Sequence, residues 1–346
     1  MLFIRLICLI EAKALTMGRK NKKFTQSLHE QSYQRLTSML SFGESKSEAK
    51  RNGSIQSKIF ARSTYRTYWR HIKYFIAYIN KNHPGCKTLK KARKYVPEWL
   101  KEREEQGLSA WTIQTEAKAL NKLFQIDPSD KDYYDPPKRH RSDIKRSRLP
   151  AIRDKHFSEA NNYEFVCFCK GLGPRRSEVS KIKGKDLYSR AQIMKELDDE
   201  PFLAKRADAL RDALLFDNEY FIHIIGKGGR ERFSPILREY ENMIVVRMKA
   251  TPPESKVWQD VPSNADIHSY RSEYATAIYR KYARNIDSIP FDAINKGTGR
   301  KYQSEVYICR KDEQGKKLDK KAMLMTSKAL AHNRIEIVAN NYIRGL

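Results

Sequence analysis

EYFIHIIGKGGRERFSPIL, residues 219–237, decides how the second half of this chain folds. An apolar run ends at Gly226, a Lys-Gly-Gly turn follows, and a second extended run returns to Pro235. β-Branched and aromatic residues bounded by glycines read as two strands joined by a hairpin. The turn glycines allow the left-handed backbone of a tight connection and leave Lys227 at an exposed tip. Around this hairpin, residues 151–346 alternate helical and extended patterns, which predicts a mixed α/β domain. AQIMKELDDEPFLAKRADALRDALLF (191–216) reads as charged and helical, and YQSEVYICRKDEQGKKLDKKA (302–322) as a further hairpin.

Upstream the period lengthens. In STYRTYWRHIKYFIAYINK (63–81), Tyr65, Tyr68, Ile72, Phe75 and Ile79 recur at three- and four-residue spacing, the stripe of an amphipathic helix. AWTIQTEAKALNKLF (110–124) repeats the pattern with Ile113, Ala117, Leu120 and Phe124, and KYVPEWLKEREEQG (94–107) supplies a third helix. Residues 62–134 therefore read as a small all-α domain. Arg66, Arg70, Lys73, Lys118 and Lys122 lie off the apolar stripes, on faces that either stay solvated or touch DNA. DPPKRHRSDIKRSRLP (135–150) opens and closes on proline and is rich in Lys and Arg. It reads as a solvated basic linker to the domain at 151–346, and Arg139, Arg141, Lys145 and Arg146 can lie along a phosphate backbone. Residues 1–61 read as a basic N-terminal arm, partly disordered, with a short helix around SYQRLTSML (32–40).

Charge narrows the partner. The chain carries 68 Lys+Arg against 41 Asp+Glu, a formal net of +27. A surface this positive binds polyanions, and neutralising nucleic-acid phosphates releases counterions. No apolar run approaches the roughly 18 residues of a spanning helix. The opening MLFIRLICLIEAKAL is short, broken by Arg5 and without a small-residue cleavage site, so it does not read as a signal peptide. Met17, at the head of the polar MGRKNKKFTQ, offers an alternative start. Five cysteines (Cys8, Cys86, Cys167, Cys169, Cys309) form no C-x-x-C pair, which argues against a zinc site or a disulfide framework and fits a reducing cytoplasm.

Several short stretches hold side chains that act on phosphates. In GLGPRRSEV (171–179), Gly173 and Pro174 predict a helix start, with Arg175 in the first turn and Glu178 placed to hold its guanidinium. In IHSYRSEYATAIY (267–279), His268 and Arg271 share a helix face beside an apolar stripe of Tyr270, Tyr274 and Ile278. Arg offers two-pronged hydrogen bonding, and His exchanges protons near neutral pH. AHNRIEIVANNYI (331–343) sets His332 ten positions before Tyr342. Each has a bland alternative: a surface Arg–Glu bridge, an ordinary turn lysine, a last helix burying an aromatic. Their fixed order is more specific than any one of them.

That order resembles the tyrosine recombinase family, the lambda-type integrases and Xer-type recombinases, over roughly residues 62–346. The motifs that carry it are GPRRSE, IIGKGGRERFSP, HSYR, LAHN and NNYI. The resemblance implies an all-α, SAM-like core-binding domain at 62–134. It implies a DNA breaking-rejoining fold at 151–346. It also implies a metal-free and cofactor-free reaction in which Tyr342 attacks a DNA phosphodiester to give a 3′-phosphotyrosine. Arg175, Arg271 and His332 would stabilise the phosphoryl charge, Lys227 would protonate the leaving 5′ oxygen, and His268 would assist at the tyrosine. Glu178 would support. The partners implied are double-stranded recombination sites, a homotetramer on DNA and an accessory DNA-bending or excision factor, with no membrane. Integration or excision of a mobile element is the expected role. A catalytically inactive DNA-binding relative and a topoisomerase-like or resolvase enzyme are the alternatives. Ala331 stands where the family usually has glycine, and a helical turn there accommodates it. The segments 191–216 and 302–322 are insertions relative to compact members.

Overall fold

The computed structural model describes residues 26–140, 157–199, 204–226, 228–289, 305–309, 313–332 and 334–343. The candidates Arg141, Lys145, Arg146 and Lys227, and most of the expected linker, lie outside the described residues. The chain forms two compact units that divide between Arg139 and His140.

The first unit is helical. Its longer helices span Leu28–Thr37, Arg62–Asn82, Val96–Glu105 and Ala110–Phe124. Three of them stand where the periodicity put them. Their stripes converge: Ile72, Phe75 and Ile79 share one cluster with Leu100, Leu120 and Phe124. The Ala110–Phe124 helix starts at Ser109, whose hydroxyl accepts the Thr112 N–H at 3.3 Å. Losing such a cap costs about 1 kcal/mol. Gln125 stops the helix in the left-handed region, at φ 53°.

Residues 28–59 correct the expected boundary. Leu28, Leu36, Met39 and Ile59 are buried in the same cluster as the three predicted helices. Leu40 also bridges to Ile59. These apolar residues are thinly spread among polar ones, so composition suggests an arm. The short helix expected around 32–40 forms as Leu28–Thr37, and tertiary packing makes it part of the core. Lys122 is a second correction. Its Nζ donates to the carbonyls of Ile55 (2.7 Å), Gln56 (2.8 Å) and Lys58 (3.3 Å). That ammonium is committed to pinning residues 55–58 against the helix and is not free to meet a phosphate.

The second unit mixes helix and sheet. Strands β1 (Leu187–Ser189), β2 (Tyr220–Ile225) and β3 (Glu231–Pro235) form an antiparallel sheet in the order β1-β2-β3. The hairpin read from the sequence is β2–β3, with Ile225 opposite Glu231 and Phe221 opposite Pro235. The segment 191–216 supplies two helices, Arg190–Asp198 and Ala204–Leu214. Leu210 and Ala213 of the second pack in one cluster with Phe233 of β3. The segment 302–322 contains a two-stranded hairpin, β4 (Val306–Ile308) with β5 (Lys317–Asp319). Tyr274, on the central helix Ile267–Tyr282, ties the layers together. Its hydroxyl donates to the Pro235 carbonyl at 2.8 Å and lies 3.3 Å from Ser234 Oγ, which in turn bonds to Leu172 O at 3.0 Å. Cys167 and Cys169 are buried free thiols on the helix Tyr163–Leu172, as expected. Among the described residues, no helix is long and apolar enough to cross a membrane.

Candidate active site

Four elements of the second unit bring the candidate residues together. The first is the turn after the helix Tyr163–Leu172. Gly173 ends that helix at φ 57°, and a Cβ on it would stand 2.3 Å from the Tyr274 ring. Only glycine fits there. Pro174 follows outside any helix, and Arg175 is the N-cap of a single turn, Arg176–Val179. The expected helix start at Gly173–Pro174 is therefore displaced. The Arg175 N–H is taken at 2.8 Å by the carboxylate of Glu178.

Glu178 organises the centre. One oxygen accepts from Arg175 Nη1 at 2.5 Å. The other accepts from Arg232 Nη2 at 2.8 Å and lies 4.0 Å from Arg271 Nη1. Burial alone would raise its pKa. The charge and hydrogen bond of Arg232, the Arg175 N–H and the charge of Arg271 outweigh burial and hold it down to about 2. One buried carboxylate thus faces three guanidiniums.

The helix Ile267–Tyr282 supplies Arg271 and His268. Arg271 is 1% exposed. It donates to Gly173 O, to Leu330 O at 2.9 Å and, through Nε, to the Tyr342 hydroxyl at a long 3.4 Å. Burial, then the charge of Arg232, lowers its pKa to about 10, which keeps it cationic at neutral pH. His268, three residues earlier, is exposed, and its ring stands edge-on to Tyr342 with centroids 5.6 Å apart.

The last two described segments supply His332 and Tyr342, one each. Tyr342 follows the helix Glu336–Asn341, and its N–H still closes on Val338 O at 3.0 Å. Its ring is buried, with Tyr274 and Leu330 in the same cluster. His332 lies 5.3 Å from the Tyr342 ring, and its Nε2 is 3.5 Å from Arg271 Nη2. Burial first, then the charges of Arg271 and Arg175, push its pKa down to about 3, so it is a neutral imidazole at working pH. Ala331, before it, adopts φ 54°. This corrects the expected helical turn: the position is left-handed, where an alanine costs roughly 1–2 kcal/mol.

A cavity of about 720 Å³ opens over this centre, lined by Arg175, Ser177, His268, Arg271 and Tyr342 among others. His332 opens instead on a second cavity of about 370 Å³, with Arg230 and Arg232. The arrangement offers a phenol, a guanidinium N–H at its oxygen, a second guanidinium on the cavity wall and an imidazole beside the ring. Among the described residues, no three His, Cys, Asp or Glu side chains are grouped to hold a metal ion. The structure thus gathers Arg175, Glu178, His268, Arg271, His332 and Tyr342. Reading the sequence alone misses Arg232. Every β3 residue from Arg232 to Pro235 is buried, so strand alternation gives no signal for it.

In the first unit, Arg66, Arg70 and Lys73 are exposed along one face of the helix Arg62–Asn82, and Lys118 is exposed on Ala110–Phe124. Arg139 is half-buried over the Trp111 ring, 5.5 Å from its centroid.

No family model and no curated protein matches this chain. The solved structures that are similar to it include the following three. An XerA recombinase is 11% identical, over 91% of this chain and 94% of that chain, with a TM-score of 0.26. The Tn1549 transposon integrase in complex with transposon right end DNA is 11% identical, over 93% and 96%, with a TM-score of 0.39. The XerH site-specific recombinase bound to its difH substrate is 14% identical, over 94% and 96%, with a TM-score of 0.39. Superpositions this loose leave function to the site's own geometry.

Proposed function

We propose that this protein is a tyrosine-type site-specific DNA recombinase, an integrase that moves a mobile element through a 3′-phosphotyrosine intermediate. One observation carries the reading. The hydroxyl of Tyr342 receives the Arg271 Nε–H, its ring is flanked by His268 and His332, and it lines one cavity with Arg175.

In the proposed step, Tyr342 Oη attacks a DNA phosphorus. The Oη–P bond forms and the P–O5′ bond breaks. The phenol proton passes toward His268, and the departing 5′ oxygen takes a proton from Lys227. Arg175 and Arg271 bind the non-bridging oxygens, fixed donors where charge develops. His332, neutral and against Arg271, keeps that guanidinium oriented and adds a hydrogen bond. The phosphotyrosine conserves the bond energy, so the reverse attack by a 5′-hydroxyl rejoins the strand. Arg66, Arg70, Lys73, Lys118 and Arg139 hold the duplex by its backbone. We further propose that four subunits assemble on two double-stranded sites in the cytoplasm, with an accessory DNA-bending or excision factor.

A covalent-trap assay tests this. Purified protein is mixed with nicked duplexes cut from the ends of the genetic element that carries its gene, and the mixture is run on a denaturing gel. The reading expects a protease-sensitive adduct with wild type and none with Tyr342→Phe. Tight binding without any adduct would point to a catalytically inactive relative. Relaxation of supercoiled plasmid without strand exchange would point to a topoisomerase-like enzyme.

A further inference from the structure

Arg232 is a buried cation that the proposed chemistry leaves without a task. It sits on β3, opposite Ile224, and is 3% exposed. Of its donors, Nη2 bonds to Glu178 at 2.8 Å, while Nε and Nη1 are buried and have no hydrogen-bond partner among the described residues. Leaving buried donors unsatisfied costs stability, so a side chain kept in this state calls for a reason.

The geometry points to Arg232 as a positioning residue for the phosphate site, acting through Glu178 and never touching DNA. Glu178 has two oxygens and three claimants. Arg232 occupies Oε2 from the β3 side, and Arg271 stays 4.0 Å from that oxygen. Arg175 is left to take Oε1 at 2.5 Å. Without Arg232, Oε2 would keep the Arg175 N–H and be open to Arg271, whose Nη1 already stands 4.0 Å away. Arg271 could then pair with Glu178 and draw its Nε away from the Tyr342 oxygen. The third positive charge also opposes that collapse directly, because it repels Arg271 as Arg271 approaches the carboxylate. Arg232 therefore keeps Glu178 from quenching the arginine that faces the nucleophile.

This inference rests on the proposed phosphate chemistry, so its test has one arm that needs DNA and one that does not. In the first arm, adduct formation is timed at saturating nicked duplex for wild type, Arg271→Lys, Arg232→Met and the double variant. We expect Arg232→Met to slow the reaction at least 30-fold with DNA affinity unchanged within threefold, and to add almost nothing on the Arg271→Lys background, because Arg232 acts through Arg271. Residues acting as one unit are non-additive in this way. In the second arm, inorganic phosphate is titrated into the protein at low ionic strength and its Kd is read by calorimetry. We expect Arg232→Met to weaken phosphate at least tenfold, although Arg232 lines no part of the Tyr342 cavity. Arg232→Gln, which retains a donor to Glu178, is expected to recover part of the loss, and it stands in if Arg232→Met does not fold. A phosphate Kd unchanged in both variants would overturn the proposal. If no protein forms an adduct, the recombinase reading fails, and the phosphate arm still decides the role of Arg232.

Discussion

The two units each bury a carboxylate among cations, and the two clusters are built differently. In the first unit, Glu116 is fully buried and receives Arg103 Nε and Nη2, each at 3.2 Å, with His71 Nδ1 also at 3.2 Å. One carboxylate meets one guanidinium and one imidazole, and Arg103 retains access to solvent at 24% exposure. In the second unit, Glu178 faces Arg175, Arg232 and Arg271, and Arg232 keeps two donors unmet. The first cluster closes its own charge. The second holds an excess of positive charge against a cavity that contains a phenol. An excess of this kind costs stability in the empty protein and repays it when an anion arrives. Balance marks the structural cluster, and imbalance marks the candidate site.

Removing each carboxylate is the harshest test of that contrast. Glu178→Gln leaves buried guanidiniums uncompensated and should cost about 3–5 kcal/mol. Glu116→Gln should cost roughly 1–2 kcal/mol, because Arg103 can turn to water. Urea melts of both variants read the difference, and equal losses would erase the distinction.

Acid sharpens it next. His332 is depressed to about 3 from an ordinary 6.5, so below pH 6.5 the unfolded chain takes the proton first and stability falls as pH falls. Glu178, held at about 2, adds its own loss below its ordinary 4.5. Between pH 6.5 and 4.5 the loss from His332 should come to about 1 kcal/mol once solvent screening is allowed for. His332→Gln should flatten the melting temperature over that window and leave the steeper fall below 4.5 intact. An unchanged slope would show that His332 is not held neutral by its surroundings.

Two smaller effects separate committed cations from available ones. Lys122→Ala should cost about 1–2 kcal/mol in stability through its lost carbonyl contacts, with the salt dependence of DNA binding unchanged. Arg70→Ala should change stability by less than about 0.5 kcal/mol and reduce the salt slope by about one phosphate contact. Last, Ala331→Gly should raise stability by about 1 kcal/mol, since glycine adopts φ 54° without strain. A loss on Ala331→Gly would mean that the alanine methyl is packed, not strained.

The residues divide into what local pattern encodes and what packing decides. The β2–β3 hairpin and the helix Ile267–Tyr282 are legible because periodicity and turn chemistry are local signals, and the latter already places His268 and Arg271 on one face. The segment 191–216 reads as helical for the same reason. The short helix expected around 32–40 is present as Leu28–Thr37, but its burial is hidden, since that comes from residues far along the chain. Lys122 looks like any surface lysine until the carbonyls of 55–58 fold onto it. Arg232 carries no mark at all, being a charge on a strand buried on both faces. The left-handed turn at Ala331 is equally silent, because alanine does not announce such a backbone as glycine would.

The most direct measurement is to map the trapped linkage. Wild-type protein would be incubated with a nicked duplex, digested with nuclease and protease, and analysed by mass spectrometry. The account expects the peptide carrying Tyr342 to gain a 3′-nucleotide through its phenol oxygen, with Arg271→Ala abolishing the signal. A nucleotide on any other residue, or an undiminished adduct in Arg271→Ala, would contradict it.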